Sequence, residues 1–226
     1  MLTTSSCDSV GKILVANITL IGDIHGDLKA WYNLVQEAKQ SVQVGDFGIG
    51  FLSGETHEKL EEFFKANQQH EFIRGNHDNP ALCKSMKNGY IPDGTVDVFG
   101  TTKIMYIGGA ESYDRNYRLL HNLPWWPEEE LTYEEQLHVF DAYVAQKPDI
   151  VVSHDAPQTA IQKLMVDTGI VRHYQPSSTQ KFLDALWKEH QPSKWFFGHW
   201  HVDVTGTIEN TEFKCLGINE ACVVEI

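Results

Sequence analysis

Short apolar runs alternate with amphipathic stretches along most of the chain. "ILVANITLIG" (13–22) reads as a strand and "DLKAWYNLVQEAKQ" (27–40) as a helix. In the latter, Leu28, Trp31, Leu34, Val35 and Ala38 fall on one face at the i, i+3, i+4 spacing. Asp27 stands where a helix N-cap belongs. A buried strand is expected at "SVQVG" (41–45), a helix at "HEKLEEFFKANQQ" (57–69) and a strand at "EFIRG" (71–75). Pro80 suits the first position of a short helix. "TVDVFG" (95–100) and "KIMYIGG" (103–109) read as a hairpin pair. After a polar, aromatic stretch, a helix is expected from about Thr132 to Gln146, with Pro127 and the acidic "PEEE" at its opening. "DIVVSH" (149–154) is a buried strand, "TQKFLDALWKEH" (179–190) an amphipathic helix, and the end is mostly β. Strands alternating with helices define an α/β class. Without internal repeats, low-complexity tracts or linkers, residues 1–226 form one domain.

The expected strands end alike. "TLIGD" stops at Asp23, "VQVGD" at Asp46, "FIRGN" at Asn76, "IVVSH" at His154 and "WFFGH" at His199. Each run passes through Gly or Ser into a residue able to bind a metal ion. Strand carboxyl ends are where ligands collect in α/β folds, and small residues let the backbone turn tightly there. A lone Asp after a strand is usually a cap and a lone His usually structural. His57, His70, His121, His138, His173 and His190 are assigned to that class. Five such ends together are not well explained by accident. With His25 and His201 added, seven candidates exceed the needs of one ion and fit two ions sharing a carboxylate. Asp, Asn and His without Cys suit hydrolytic Mn, Fe, Co, Ni or Zn rather than structural zinc. Two divalent ions bring four positive charges and Asp23 and Asp46 cancel two, leaving charge for a hydroxide and a phosphoryl group.

Composition narrows the partners. The chain has 226 residues, 42% hydrophobic and 22% charged, with a formal charge of −13. That balance argues against general affinity for nucleic acid or anionic membranes, while a small anionic substrate stays compatible with a metal site. No apolar stretch approaches the roughly 20 residues that span a bilayer. The start lacks a secretory pattern, and Cys7, Cys83, Cys215 and Cys222 are scattered. These features predict reduced thiols and a cytoplasmic protein.

"GDIHGD" (22–27), "GDFG" (45–48), "GNHD" (75–78), "SH" (153–154) and "GHWH" (198–201) resemble, in order, the five signature blocks of the calcineurin-like metallophosphoesterases. The resemblance implies a four-layer αββα sandwich, two β-sheets flanked by helices, with a dimetal site at the strand C-terminal ends. It implies that Asp23, His25, Asp46 and His201 hold one ion and Asp46, Asn76, His154 and His199 the other. Manganese is the first choice, with Fe, Zn, Ni or Co as alternatives. A hydroxide bridging the ions would attack phosphorus, His77 would protonate the leaving oxygen, and Asp78 would orient His77. The second block departs from the GDxxDRG of protein phosphatases, because "GDFGIGF" lacks the phosphate-binding Arg. Arg74 in "RGNHD", and Arg115 and Arg118 in "ESYDRNYRLL", are the candidate replacements.

The segment 108–130 faces the substrate on this reading and adds Tyr113 to the candidates. Trp125 and Trp126 are read as packed core in preference to a nucleobase platform. The double glycine at 108–109 is read as allowing close backbone approach near the metals. The expected activity is hydrolysis of a small phosphodiester or phosphomonoester, a nucleotide among the candidates. A serine/threonine protein phosphatase-like activity ranks below it, and a nuclease or a non-catalytic scaffold lower still.

Overall fold

Strand β1 (Asn17–Ile21) lies parallel to β2 (Ser41–Gln43), which lies parallel to β3 (His70–Phe72). Strand β10 (Ala221–Glu225) runs antiparallel along the outer side of β1 and completes a four-stranded sheet. The second sheet has six strands. β5 (Thr102–Ile107), β6 (Ile150–Ser153), β7 (Lys194–Phe197) and β9 (Thr211–Cys215) are parallel. β4 (Val96–Phe99) and β8 (Val204–Ile208) close its two edges in antiparallel pairing. The computed structural model describes residues 17–165 and 175–226. Cys7, His173 and positions 13–16 of the expected opening strand lie outside the described residues.

The period-two side-chain alternation of the strands decides the layering. Ile18, Leu20, Val42, Val44, Ile104, Tyr106, Ile150, Val152 and Phe196 point between the sheets and form one buried cluster. Met105, Ile107, Val151, Trp195, Phe197 and Phe213 point the other way and pack under α5 (Tyr133–Gln146), α6 (Gln158–Leu164) and α7 (Ser178–Glu189). On the opposite side Ile21, Phe47 and Phe72 pack under α1 (Leu28–Glu37), α2 (Gly54–Ala66) and α3 (Pro80–Ser85). The result is the expected four-layer sandwich, helices outside and two sheets within. Strands covered on both faces explain the near-continuous apolar runs of the sequence.

Caps set the helix boundaries. Asp27 accepts a hydrogen bond from the Ala30 N–H, and Asn79 receives Ala81 and Leu82 while Pro80 opens α3. Helix α2 begins ahead of the expected position because Ser53 caps it. Helix α5 starts at Tyr133 behind a capping box of Thr132 and Glu135. Pro127 and "PEEE" therefore precede the helix rather than opening it, which corrects the sequence expectation. Two short helices, α6 and α4 (Arg115–Leu120), had no expectation; at 7 and 6 residues neither spans enough turns to show a period. Helix α4 buries no residue and stands within the 108–130 segment. Among the described residues no helix is long and apolar enough to cross a membrane.

Candidate metal centre

The residues that follow β1, β2, β3, β6 and β7 converge. Donor atoms of Asp23, His25, Asp46 and His201 lie within 4.8 Å of one another, as do those of Asp46, His154 and His199. Asp46 belongs to both groups. His201 Nε2 is 3.2 Å from Asp23 Oδ2, and His154 Nε2 is 3.3 Å from Asp46 Oδ1. Asn76 joins the second group through its Oδ1, 3.0 Å from His154 Nε2. All seven sequence candidates are thus brought to one place.

Local backbone makes that convergence possible. His25, Asp46, His199 and His201 all have positive φ, between 45° and 65°. Each such residue costs on the order of 1–3 kcal/mol, strain that surrounding structure must impose and that concentrates at functional sites. A side chain at Gly75 would overlap Asp46 Oδ1, and one at Gly198 would overlap Asp23 Oδ1. The glycines before these ligands are therefore required by the carboxylates packed against them.

The donor set fits cations. Asp46 Oδ2 and His199 Nε2 are buried with no hydrogen-bond partner. His25 Nε2 and His201 Nε2 face each other at 2.9 Å, so at most one proton lies between them. His154 Nδ1 lies 2.9 Å from the Val44 carbonyl, which can only accept, so this nitrogen carries a proton. Its Nε2 is left between two oxygens, those of Asp46 and Asn76. One cation in each donor group would satisfy these atoms. Burial opposes charge on His154, yet the Asp46 carboxylate overrides it and raises the imidazole to about 10. Burial likewise opposes ionisation of Asp46, and His154 reverses that, holding the carboxyl far below its usual range. His199 is depressed, by burial first and then by His154. His201 is raised by its hydrogen bond to Asp23.

A model of the calcineurin-like phosphoesterase family matches residues 16–203. The chain belongs to this family. No curated protein matches it in sequence. Among solved structures it is similar to a dimetal phosphatase from Danio rerio, with 11% identity, TM-score 0.56, and 94% of this chain and 93% of that one covered. It is also similar to a protein assigned as a 5′-nucleotidase from Staphylococcus aureus in complex with alpha-ketoglutarate. There the identity is 12%, the TM-score 0.53, and 92% of this chain is covered against 51% of the other, so the chain spans about half that protein's length. At such identities the likeness concerns the fold.

Around the donors, this calcineurin-like phosphoesterase differs from its sequence reading. Asp78 does not orient His77. Its two oxygens accept the backbone N–H groups of Phe47, Gly48, Ile49 and Gly75, stitching the loop that carries Asp46 to the loop that carries Asn76. Burial, then the charge of Asp46, raises the Asp78 carboxyl against the amides of Gly75, Ile49 and Gly48. His77 Nδ1 instead lies 2.8 Å from Arg118 Nη2. Its ring is half-buried, and burial followed by Arg118 depresses its basicity against the pull of Asp46.

Arg74 is not placed to touch a substrate either. It is fully buried, its Nε 3.1 Å from Asp93 Oδ2 and its Nη1 on the Glu128 and Glu129 carbonyls. Gly108 packs against the Arg74 backbone carbonyl and Cγ and Gly109 against the Glu129 carbonyl and the Arg74 guanidinium, so the close approach they permit is to Arg74 rather than to the metal centre. Arg115 lies 4.5 Å over the Trp125 ring. Trp125 and Trp126 are half-buried rather than core, and Trp126 meets the exposed Phe51 edge to face. Tyr113 is exposed and stacks 5.4 Å from the His199 ring. Of the four substrate candidates, Tyr113 and Arg118 border the centre.

Sequence reasoning missed several supports. Trp200, between two ligand candidates, donates from Nε1 to Asp155, which follows a third. Burial raises the Asp155 carboxyl to about 6. Asn76 Nδ2 donates to Ser112 Oγ, and Ser112 is held by Glu129. Contacts between residues 36 and 17 positions apart leave no local pattern to read.

Proposed function

We propose that this protein hydrolyses small phosphoesters, phosphodiesters and nucleotides foremost, with two divalent ions held by the seven converged side chains. The observation that carries this reading is the pair of donor groups that share Asp46, with His77 alongside. When bound, the two ions would activate a water and screen the phosphoryl oxygens. Asp23, His25, Asp46 and His201 would hold one ion, and Asp46, Asn76, His154 and His199 the other. Manganese, which suits the oxygen donors, is our first choice, with Fe, Ni or Zn, which suit the imidazoles, and Co as alternatives.

The chain's own groups supply the rest. The His77 backbone N–H donates to Asp46 Oδ1 at 2.8 Å, tying the proposed acid to the shared carboxylate. Arg118 can only donate, so Nδ1 of His77 accepts and the ring proton resides on Nε2. From Nε2 that proton faces the leaving oxygen in our assignment. A substrate phosphoryl group competes for Arg118. Once the guanidinium has turned to it, Nδ1 is open to a second proton from solvent water, and the resulting imidazolium is a stronger acid than the neutral ring. Arg118 thereby takes the place of the arginine absent from the second block. Phe51 lies 6.4 Å from the His77 ring and the Arg118 guanidinium lies 5.9 Å over Phe51, which supports a leaving group with a flat apolar face.

The test is hydrolysis of bis-p-nitrophenyl phosphate, p-nitrophenyl phosphate and a nucleotide panel by purified protein, with manganese and with chelator. Metal-dependent turnover that favours diesters or nucleotides is expected. Turnover confined to phosphopeptides would replace this substrate class, and none at all would remove the catalytic reading.

A further inference from the structure

Behind the second group of donors stand two buried polar side chains that the proposed chemistry does not use, and they lead to Asn76. Ser112 and Glu129 are 4% and 3% exposed, and Asn76 is equally enclosed. Asn76 Nδ2 lies 3.0 Å from Ser112 Oγ, which lies 2.5 Å from Glu129 Oε2. The Ser112 backbone N–H donates to the other Glu129 oxygen at 2.9 Å. The Glu129 backbone carbonyl accepts from the buried Arg74 at 2.8 Å, so the backbone that carries this carboxylate is anchored from inside the fold.

We infer that Glu129, acting through Ser112, sets which end of the Asn76 amide faces the second metal position. The polarity of the chain of hydrogen bonds forces the result. Both Glu129 oxygens accept from Ser112, Oε1 from the backbone N–H and Oε2 from the hydroxyl, so the single hydroxyl proton of Ser112 is directed to Glu129. Ser112 Oγ is then left with lone pairs toward Asn76 and accepts from an N–H of that amide. The amide must therefore present Nδ2 to Ser112 and Oδ1 to the metal position, the only end able to bind a cation. A reversed amide would aim two N–H donors at a cation and leave Ser112 facing an oxygen with no proton to give. Glu129 and Ser112 are positioning residues, and they make the two ends of the 108–130 segment part of the metal centre. This rests on the two-ion reading above.

The experiment is manganese titration of the metal-stripped full chain by calorimetry and electron paramagnetic resonance, for wild type, Ser112→Ala, Glu129→Gln and Ser112→Thr. Glutamine at 129 can donate to Ser112 Oγ and so reverse the polarity; alanine at 112 removes it. Both should weaken the second ion by about 10- to 100-fold and leave the first unchanged. Ser112→Thr, which keeps the hydroxyl, should bind both ions as wild type does. Unchanged binding of both ions in Ser112→Ala and Glu129→Gln overturns the inference. So does equal weakening of both ions with a lowered melting temperature, which marks a merely structural role. Wild type that binds two ions yet cleaves no phosphoester ends the functional reading and leaves this one standing. A wild type that binds a single ion ends both.

Discussion

The metal centre and the 108–130 segment beside it are built on opposite plans. At the centre each ligand candidate follows a strand by one to four residues, and the strands are buried on both faces. Position is inherited from the sheets. Segment 108–130 has no strand, and its helix α4 buries nothing. Its side chains are placed one by one by partners inside and outside the segment: Arg118 by Asp114 and His77, Glu129 by Ser112, Glu130 by Thr179. A site needs both kinds of region. The strand-bound part concentrates charge that the fold alone would expel, and on the proposed reading the irregular part selects what approaches it.

The largest expected effect tests the rigid side. Asp46→Asn should abolish turnover and release both ions, because the shared carboxylate serves each group; metal analysis of the purified variant checks this. Full metal content with near-normal rates would remove the sharing. Next is His77→Ala, expected to lower kcat by about 10²–10⁴ on esters with poor leaving groups while metal content persists. The loss should shrink on p-nitrophenyl esters, whose leaving group barely needs a proton. Equal losses on both would take the acid role from His77.

The irregular side should respond more gently and differently. Arg118→Ala is expected to reduce kcat/KM by about 10- to 100-fold, the worth of a charged hydrogen bond, with a clear rise in KM. A silent Arg118→Ala would reduce the segment to a cover and collapse the comparison. The smallest effect is reserved for a residue just past the segment. Thr132→Ala breaks the capping box of α5 and should cost about 1 kcal/mol of stability in denaturant unfolding. Steady-state kinetics should not change. Any kinetic loss there would mean that helix α5 itself, rather than Ser112 and Glu129, transmits order to the centre.

Much of this was legible along the chain. The strand–helix alternation, the Asp27 cap, the Pro80 start and the hairpin of β4 and β5 all follow local rules. So does the gathering of ligand candidates, because a glycine and a donor at a strand's carboxyl end form a local pattern repeated at several ends. The acidic "PEEE" was misread for an equally physical reason. Acidic residues after a proline suit a helix opening, and here Thr132 with Glu135 offered a better one. Glu129 and Glu130 were thereby left for tertiary work, one on Ser112 and one on Thr179.

The amino-acid order by itself determined the alternation of strands and helices and the chemistry of the donors, since burial period, caps and ligand type are short-range properties of the chain. Only the tertiary structure decided the partners. It gave Asp78 to four backbone amides rather than to His77, buried Arg74 away from any substrate, and set Arg118 on the imidazole. Hydrogen bonds between distant residues depend on where loops finally lie. Loop position follows from packing that no local periodicity encodes.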